Sequence, residues 1–317
     1  MINSLFSPLI DFYDQQLLAA GVQQRLGLAA VGAPFCLGWT IAAQAGVTIE
    51  VLPLDAIHAV ISGNKWFKLQ YNLLFALQQG KTHLASCGGA HSNHLHALAW
   101  AGKTLGFSAS AVVRGEEWAN AETPTLRDVR EWGMQLHCIS RQQFRQWRDE
   151  RWSGLQTAET LLLPEGGDNF LGVLGCIAMA RLVPLQRYAQ VHVACGTGCT
   201  WLGLRLGLPA SVEVVGHSML KGAWQRAELQ ARLASWSNGA RPGPWRLEQQ
   251  QKQRFAQTDN VLLDFMEAFT AETGVMLDPV YTGPLFWRLA TLLQSGVVER
   301  GQRWLVIHSG GLQGRER

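Results

Sequence analysis

From residue 66 onward the spacing of hydrophobic and polar positions switches repeatedly between two periods. In "WFKLQYNLLFALQQG" the apolar residues Leu69, Leu73, Ala76 and Leu77 recur at helical spacing, and Gly80 offers a C-terminal stop. "THLASC" then predicts a strand, "GGAHSN" a turn and "HLHALAWAGKTLG" a second helix. "SASAVVRG" is the next predicted strand. Thr123 and Pro124 make an N-cap and first-turn pair for "TLRDVREWG", and "QLHCIS" follows as a strand. After a polar helix over 141–152 the same grammar resumes. "TLLLPEGG" precedes the helix "FLGVLGCIAMARL", and the strand "QVHVACGTG", a further helix and "VEVVGHSML" come after it.

Strands alternating with helices on both sides of a composition break near 141–160 predict an α/β fold with two open parallel-sheet layers and a crevice between them. The stretch 236–259, "WSNGARPGPWRLEQQQKQRFAQTD", joins Gly and Pro to a polar tract and is expected to be the least ordered. No repeat of fixed period is visible. Residues 1–48 carry the least pattern.

Composition narrows the function. With 317 residues, 47% hydrophobic and 16% charged, the chain suits a compact globule of one large or two ordinary domains. Its 27 basic and 24 acidic residues are interspersed, and no basic run tracks a phosphate backbone, which argues against nucleic acid. Cys36, Cys87, Cys138, Cys176, Cys195 and Cys199 lack framework or zinc-ligand spacing, so they are expected to be small buried residues, reduced, in a cytoplasmic protein. The start "MINSLFSPLIDFYDQQ" has neither a basic n-region nor an unbroken apolar run, and no stretch of about 18 apolar residues occurs, so neither export nor a membrane span is expected. Thirteen scattered tryptophans read as packing residues.

Three places carry candidate chemistry. Lys65 and Lys68 open the first predicted helix, where the macrodipole disfavours cations. Either they are a solvated surface pair, or an anionic or covalent partner compensates them. "CGTGCT", 195–200, follows a predicted strand and opens a helix, so its backbone N–H groups can converge on an anion; the alternative is a plain turn. The third glycine of a dinucleotide fingerprint falls at Trp201, and no Gly-Lys-Ser/Thr follows as in a Walker loop. In "CGGAHSNHLH", 87–96, Ser92 and Asn93 can cap the following helix. His91, His94 and His96 suggest a metal, but 94 and 96 point to different helix faces and no carboxylate stands at ligand spacing, so packing and polar roles are expected and no metal.

Seven segments then add a specific likeness. "SGNKWFKLQYNL", "SCGGAHSNH", "VVRGEEWANAETPTLRDVREWGM", "LPEGGDNFLGVLG", "VACGTGCTWLGL", "LDPVYTG" and "IHSGGLQG" stand in the order and approximate spacing of the family of 1-aminocyclopropane-1-carboxylate deaminase and D-cysteine desulfhydrase. The chain resembles that family from about residue 50 to 314. The resemblance implies a pyridoxal 5'-phosphate enzyme of the tryptophan-synthase β fold, fold type II. It implies a large cofactor-binding domain from 1–66 and 161–317, a small α/β domain over 67–160, and an active site in the cleft between them.

By the same resemblance Lys65 joins the cofactor covalently, Lys68 lies near its phosphate, and Gly196, Thr197, Gly198, Cys199 and Thr200 cradle that phosphate. Asn93 stands beside the cofactor's 3-hydroxyl, Ser92 near the substrate carboxylate, Tyr281 at the substrate and Thr282 at the pyridine nitrogen. The cyclopropane-opening deaminases carry glutamate at the position of Thr282, so the hydroxyl favours β-elimination, as in the desulfhydrase branch. Three departures stand out: "LPLD" at 52–55, "KQRFAQ" at 252–257, where Phe255 replaces a tyrosine hydroxyl, and Pro284 in place of a lysine. The implied activity is a lyase or deaminase acting on a small amino acid, most like D-cysteine desulfhydrase, in a homodimer. The alternatives are a 1-aminocyclopropane-1-carboxylate deaminase or a cofactor-binding protein with little catalysis. A nicotinamide dehydrogenase rests only on the α/β grammar and lacks a recognisable acidic ribose partner.

Overall fold

The structure is a computed structural model and describes residues 2–149, 157–184, 187–220, 224–249 and 260–312. The chain runs through α1 (Ile2–Ala19), α2 (Val22–Arg25), β1 (Phe35–Cys36), α3 (Thr40–Ala45) and β2 (Thr48–Pro53). It continues through α4 (Asn64–Gln78), β3 (His83–Gly89), α5 (Asn93–Leu105), β4 (Ser108–Arg114), α6 (Pro124–Glu131), β5 (Met134–Ile139), α7 (Arg141–Asp149) and β6 (Thr160–Leu162). Next come α8 (Phe170–Met179), β7 (Gln190–Cys195), α9 (Cys199–Gly207), β8 (Glu213–Ser218) and α10 (Trp224–Trp236). The last described elements are β9 (Trp245–Gln249), α11 (Asn260–Thr273), α12 (Thr282–Gln294) and β10 (Arg303–His308).

Two sheets result, as the alternation of periods predicts. One has six strands in the order β1-β2-β10-β7-β8-β9, the other four in the order β5-β4-β3-β6. Every pairing is parallel except β1 with β2. Parallel strands are covered on both faces, which is why Val191 and Val193 of β7 and Leu305, Val306 and Ile307 of β10 are fully buried without alternation. One apolar cluster runs from Leu84 and Ala111 of the small sheet to Val191 and Leu305 of the large one; a second lies under α11 and α12 around Phe269, Phe286 and Trp304. The turns after β3, β7 and β10 leave the carboxyl ends of parallel strands, where open α/β sheets place their ligands. Helix α4 approaches α8 so closely that a methyl group at Gly175 would collide with the Phe67 carbonyl oxygen. That contact sets the height of the two lysines against α8.

The expected domain limits fall inside elements. The limit at 66/67 passes through the first turn of α4, and the limit at 160/161 cuts β6, whose Thr160, Leu161 and Leu162 pair with His83, Leu84 and Ala85 of the small sheet. The 236–259 stretch holds a strand. β9 is legible only through its partner, because "WRLEQ" gains order by pairing in parallel with β8 and by the edge contact of Trp245 on Trp201 at 5.1 Å. Residues 250–259, with the "KQRFAQ" departure and Phe255, lie outside the described residues. The weakly patterned start contains the 18-residue α1, with Pro8 inside it. Cys36 is exposed and Cys138 half-buried, against the expectation of burial, since they lie on edge strands; the other four cysteines are buried and all six are free thiols. Among the described residues no helix is long and apolar enough to cross a membrane.

Candidate functional site

Lys65 is held by a turn that only glycine can make. Gly63 precedes α4 at φ 66°, and a methyl group there would collide with the Ser309 carbonyl at the end of β10. Its N–H donates to the Leu54 carbonyl at 2.8 Å, while Asn64 N–H donates to Ser309 O at 3.4 Å. No side chain caps this helix start. The Lys65 amine donates to Asn64 Oδ1 at 2.6 Å, and Asn64 Nδ2 donates to Thr200 Oγ1 at 2.8 Å. A relay of three side chains thus ties the amine to the first turn of α9.

The α9 turn is built for something outside itself. Gly198 adopts φ 94°, and a methyl group on it would collide with Leu229 of α10. No side chain caps α9, so the N–H groups of its first turn are left for a ligand. Thr197 Oγ1 is buried without a hydrogen-bond partner. Arg232 donates to the Thr197 carbonyl at 3.3 Å while paired through both terminal nitrogens to Asp168. Gln225 donates to the Gly196 carbonyl at 2.5 Å, which leaves the backbone N–H side of the turn open. Cys199 faces inward, its sulfur 3.9 Å from that of Cys176; its part in a cradle is its backbone N–H.

Tyr281 and Thr282 stand where the 274–281 connection from α11 opens α12. The Lys65 ammonium lies 5.8 Å from the centre of the Tyr281 ring, and a methyl group at Gly196 would lie 3.3 Å from Tyr281 Cε1, so this ring links lysine and glycine turn. Thr282 is fully buried and locked to Asp278: its hydroxyl donates to Asp278 Oδ2 at 2.8 Å and accepts from Asp278 N–H at 2.7 Å. Asp278 also accepts from the N–H groups of Val280, Tyr281 and Thr282. Asp278 thus holds the start of α12, Thr282 braces that carboxylate, and one oxygen lone pair is what the hydroxyl retains for a ligand. Asn93 is buried, and a methyl group on Gly311 would meet both its amide nitrogen and the Asp278 carboxylate. Ser92 caps α5, its hydroxyl accepting from Leu95 N–H at 3.3 Å.

The three histidines separate. His91 meets Trp118 edge-on at 5.9 Å, His96 pairs with Asp128 at 3.0 Å, and His94 is buried against Ser86. Among the described residues no three metal-binding side chains cluster.

Burial, with the Lys68 charge second, pulls the Lys65 pKa down to about 7, although Asp278, Cys176 and Cys199 act in the opposite sense. Lys68 is held above the ordinary lysine value: burial works against its charge, but Cys199, Cys176 and Asp168 outweigh it. His94 is driven down to about 3 by burial and then by the charges of Lys68 and Lys65, so it is neutral. The pair of a neutral amine and a fixed cation beside an uncapped helix end can attack a carbonyl, hold an anion and move a proton. The donor set fits an aldehyde that carries a phosphate. A cavity of about 670 Å³ lies against the Asp168–Arg232 pair with Phe6, Phe170 and Trp236 on its walls, and none of the sequence-derived site residues lines it. The chemistry converges elsewhere. Asp278 and Asn64 carry no role in the sequence reading, and His94 enters it only as a packing or polar residue. Asp278 and Asn64 lie within quoted motifs.

No family model matches the chain. A putative 1-aminocyclopropane-1-carboxylate deaminase from Pyrococcus horikoshii is 27% identical over 292 residues, covering 86% of this chain and 87% of the relative. The bifunctional D-cysteine desulfhydrase/1-aminocyclopropane-1-carboxylate deaminase of Arabidopsis thaliana is 26% identical over 290 residues, 80% of this chain and 70% of its own. D-cysteine desulfhydrase from Klebsiella pneumoniae is 24% identical over 319 residues, with 90% and 93% covered. Among solved structures, an ACC deaminase homologue superposes with a TM-score of 0.77 at 25% identity over 90% of this chain and 91% of that one. A fungal L-serine ammonia-lyase from Rhizomucor miehei shares the fold, with a TM-score of 0.63 at 15% identity over 89% and 94% of the two chains.

Proposed function

We propose, from the premise that the chain belongs to the family of 1-aminocyclopropane-1-carboxylate deaminases and D-cysteine desulfhydrases, that it is a pyridoxal 5'-phosphate-dependent lyase that eliminates a β-substituent from a small amino acid, most like D-cysteine. The observation that carries this reading is the Lys65 amine, with its pKa near 7, tied through Asn64 to the uncapped, anion-ready start of α9. Bound there, pyridoxal 5'-phosphate supplies an aldehyde for covalent attachment and a ring that draws electrons from the substrate's Cα.

The phosphate's partners are the N–H groups from Gly196 to Thr200, the unpartnered Thr197 hydroxyl and the Lys68 ammonium. Lys65 Nζ, whose proton affinity burial and the Lys68 charge lower, would take the Cα proton as the sulfur leaves Cβ. With water the net change is D-cysteine to sulfide, pyruvate and ammonia. Asn93 and Thr282 would hold the ring, and Ser92 and Tyr281 the substrate. Thr282 would face a ring nitrogen with its remaining lone pair, or with its hydroxyl proton if Asp278 let it go. In neither case does a carboxylate touch the ring directly, which supports elimination of a good leaving group over cleavage of a cyclopropane carbon bond.

Borohydride reduction of the protein loaded with pyridoxal 5'-phosphate, followed by peptide mapping, is expected to place the pyridoxyl group on Lys65. Side-by-side kinetics are expected to show faster pyruvate release from D-cysteine than 2-oxobutyrate release from the cyclopropane amino acid. A pyridoxyl group on Lys68, or a preference for the cyclopropane substrate, overturns the corresponding half of the reading.

A further inference from the structure

His94 is 2% exposed, and its Nε2 lies 3.0 Å from Ser86 Oγ. The Ser86 hydroxyl has one proton and donates it to the Leu163 carbonyl at 2.9 Å. Ser86 Oγ must therefore accept from His94, so Nε2 carries the ring proton and Nδ1 presents a bare lone pair. That lone pair is buried without a hydrogen-bond partner. Native interiors rarely leave such an acceptor idle.

The Lys68 side chain starts beside it, its Cβ against the same glycine, Gly167. Lys68 is 5% exposed, and among the described residues no hydrogen bond or ion pair holds its ammonium. The two side chains meet at Gly167, whose φ is 68°: a methyl group there would lie 3.3 Å from His94 Nδ1 and 3.4 Å from Lys68 Cβ. The preceding Gly166 abuts another orphan, since its methyl group would lie 2.9 Å from Thr197 Cγ2 and 3.5 Å from Oγ1. A buried cation, a neutral acceptor and a free hydroxyl thus border one pair of glycines.

We propose that His94 is a positioning residue for Lys68: its Nδ1 accepts one Lys68 N–H and turns the remaining N–H groups toward the anion at the α9 turn. The assignment deepens the proposed function and rests on it, because the anion is the cofactor's phosphate. A histidine suits the task where a carboxylate would not. A neutral acceptor orients the ammonium and leaves its whole charge for the phosphate, whereas an aspartate would cancel that charge. The Ser86–Leu163 chain serves to keep the ring in the one tautomer that can accept at Nδ1.

Absorbance titration of the apoprotein with two aldehydes, pyridoxal 5'-phosphate and pyridoxal, tests this. His94→Leu is expected to weaken pyridoxal 5'-phosphate about tenfold, the loss of one oriented charge-assisted contact, and to leave pyridoxal within about twofold. His94→Asn, which offers Oδ1 in place of Nδ1, is expected to recover most of the difference. In a Lys68→Ala background, His94→Leu is expected to add less than about a twofold effect, because its route is gone. An equal loss for both aldehydes, unchanged pyridoxal 5'-phosphate affinity, or full additivity with Lys68→Ala overturns the role of His94 while the proposed function stands. Wild-type protein that takes up neither aldehyde overturns both.

Discussion

Two turns of nearly the same plan stand at the carboxyl ends of β3 and β7, and they end differently. Both leave a parallel strand, pass through glycines and open a helix. After β3, Ser92 closes the helix start with its own hydroxyl. After β7, nothing does: α9 begins at a left-handed glycine, the Thr200 hydroxyl is taken by Asn64, and the Thr197 hydroxyl has no partner. Thr123 caps α6 and Asn169 caps α8 in the manner of Ser92. Helix α4, which carries the two lysines, is uncapped like α9. A helix start that satisfies itself is architecture. One that leaves buried donors and a hydroxyl unanswered is half of a binding site, because the missing hydrogen bonds remain to be made by a ligand.

The largest effect that sharpens this contrast concerns α4. Labelling of the apoprotein by an amine-selective reagent is expected to place the Lys65 midpoint near pH 7, against an ordinary lysine value of 10.5. Because the depressed pKa exposes the free base earlier, Lys65 at pH 7 reacts on the order of hundreds of times faster than an unperturbed lysine. Lys68→Ala is expected to raise that midpoint, with burial still holding it below the ordinary value. Next, Gly198→Val, which meets both the left-handed backbone and Leu229, is expected to weaken pyridoxal 5'-phosphate by about a hundredfold or more in a fluorescence titration. Cys199→Ser, at a residue that offers only its backbone, is expected to cost far less; equal costs would make the turn only a turn.

Two smaller effects have opposite signs. Thr197→Val removes a buried orphan hydroxyl, so the apoprotein is expected to gain about 1 kcal/mol in a denaturant melt while cofactor affinity falls. Ser92→Ala removes a cap, so the apoprotein is expected to lose about 1 kcal/mol while cofactor affinity stays within about twofold. If both variants destabilise the apoprotein, the distinction between the two turns does not hold.

The sequence reading reached the strand and helix order because parallel sheets and amphipathic helices write their periods into local spacing. It reached Lys65 and the 196–200 turn through motifs that local chemistry and family likeness reinforce. What it missed is non-local. Strand β9 needs β8 and Trp201 to be a strand, so its polar segment did not reveal it. The hydroxyl of Thr282 was assigned to a ring nitrogen without Asp278, because two residues four apart in "LDPVYTG" show no hydrogen bonds until the backbone folds back on itself. His94 looked like an ordinary core histidine for a similar reason: its tautomer depends on Ser86 and Leu163, the latter contributed by the segment after β6.

The place of β10 between β2 and β7 also orders events in time. During synthesis Lys65 and its helix emerge early, but the carbonyl of Ser309 that shapes the Gly63 turn comes much later, and the contact of Gly311 N–H with Ser62 Oγ at 3.5 Å spans 249 positions. Before β10 inserts, β2 and β7 have no common neighbour, so the six-stranded sheet is split and the turn has nothing to close against. Long-range pairing of this kind forms late. A ribosome-bound chain stalled before residue 303 therefore carries both lysines but not the setting that lowers the proton affinity of Lys65. The reactive amine matures last, when the final strand locks the sheet.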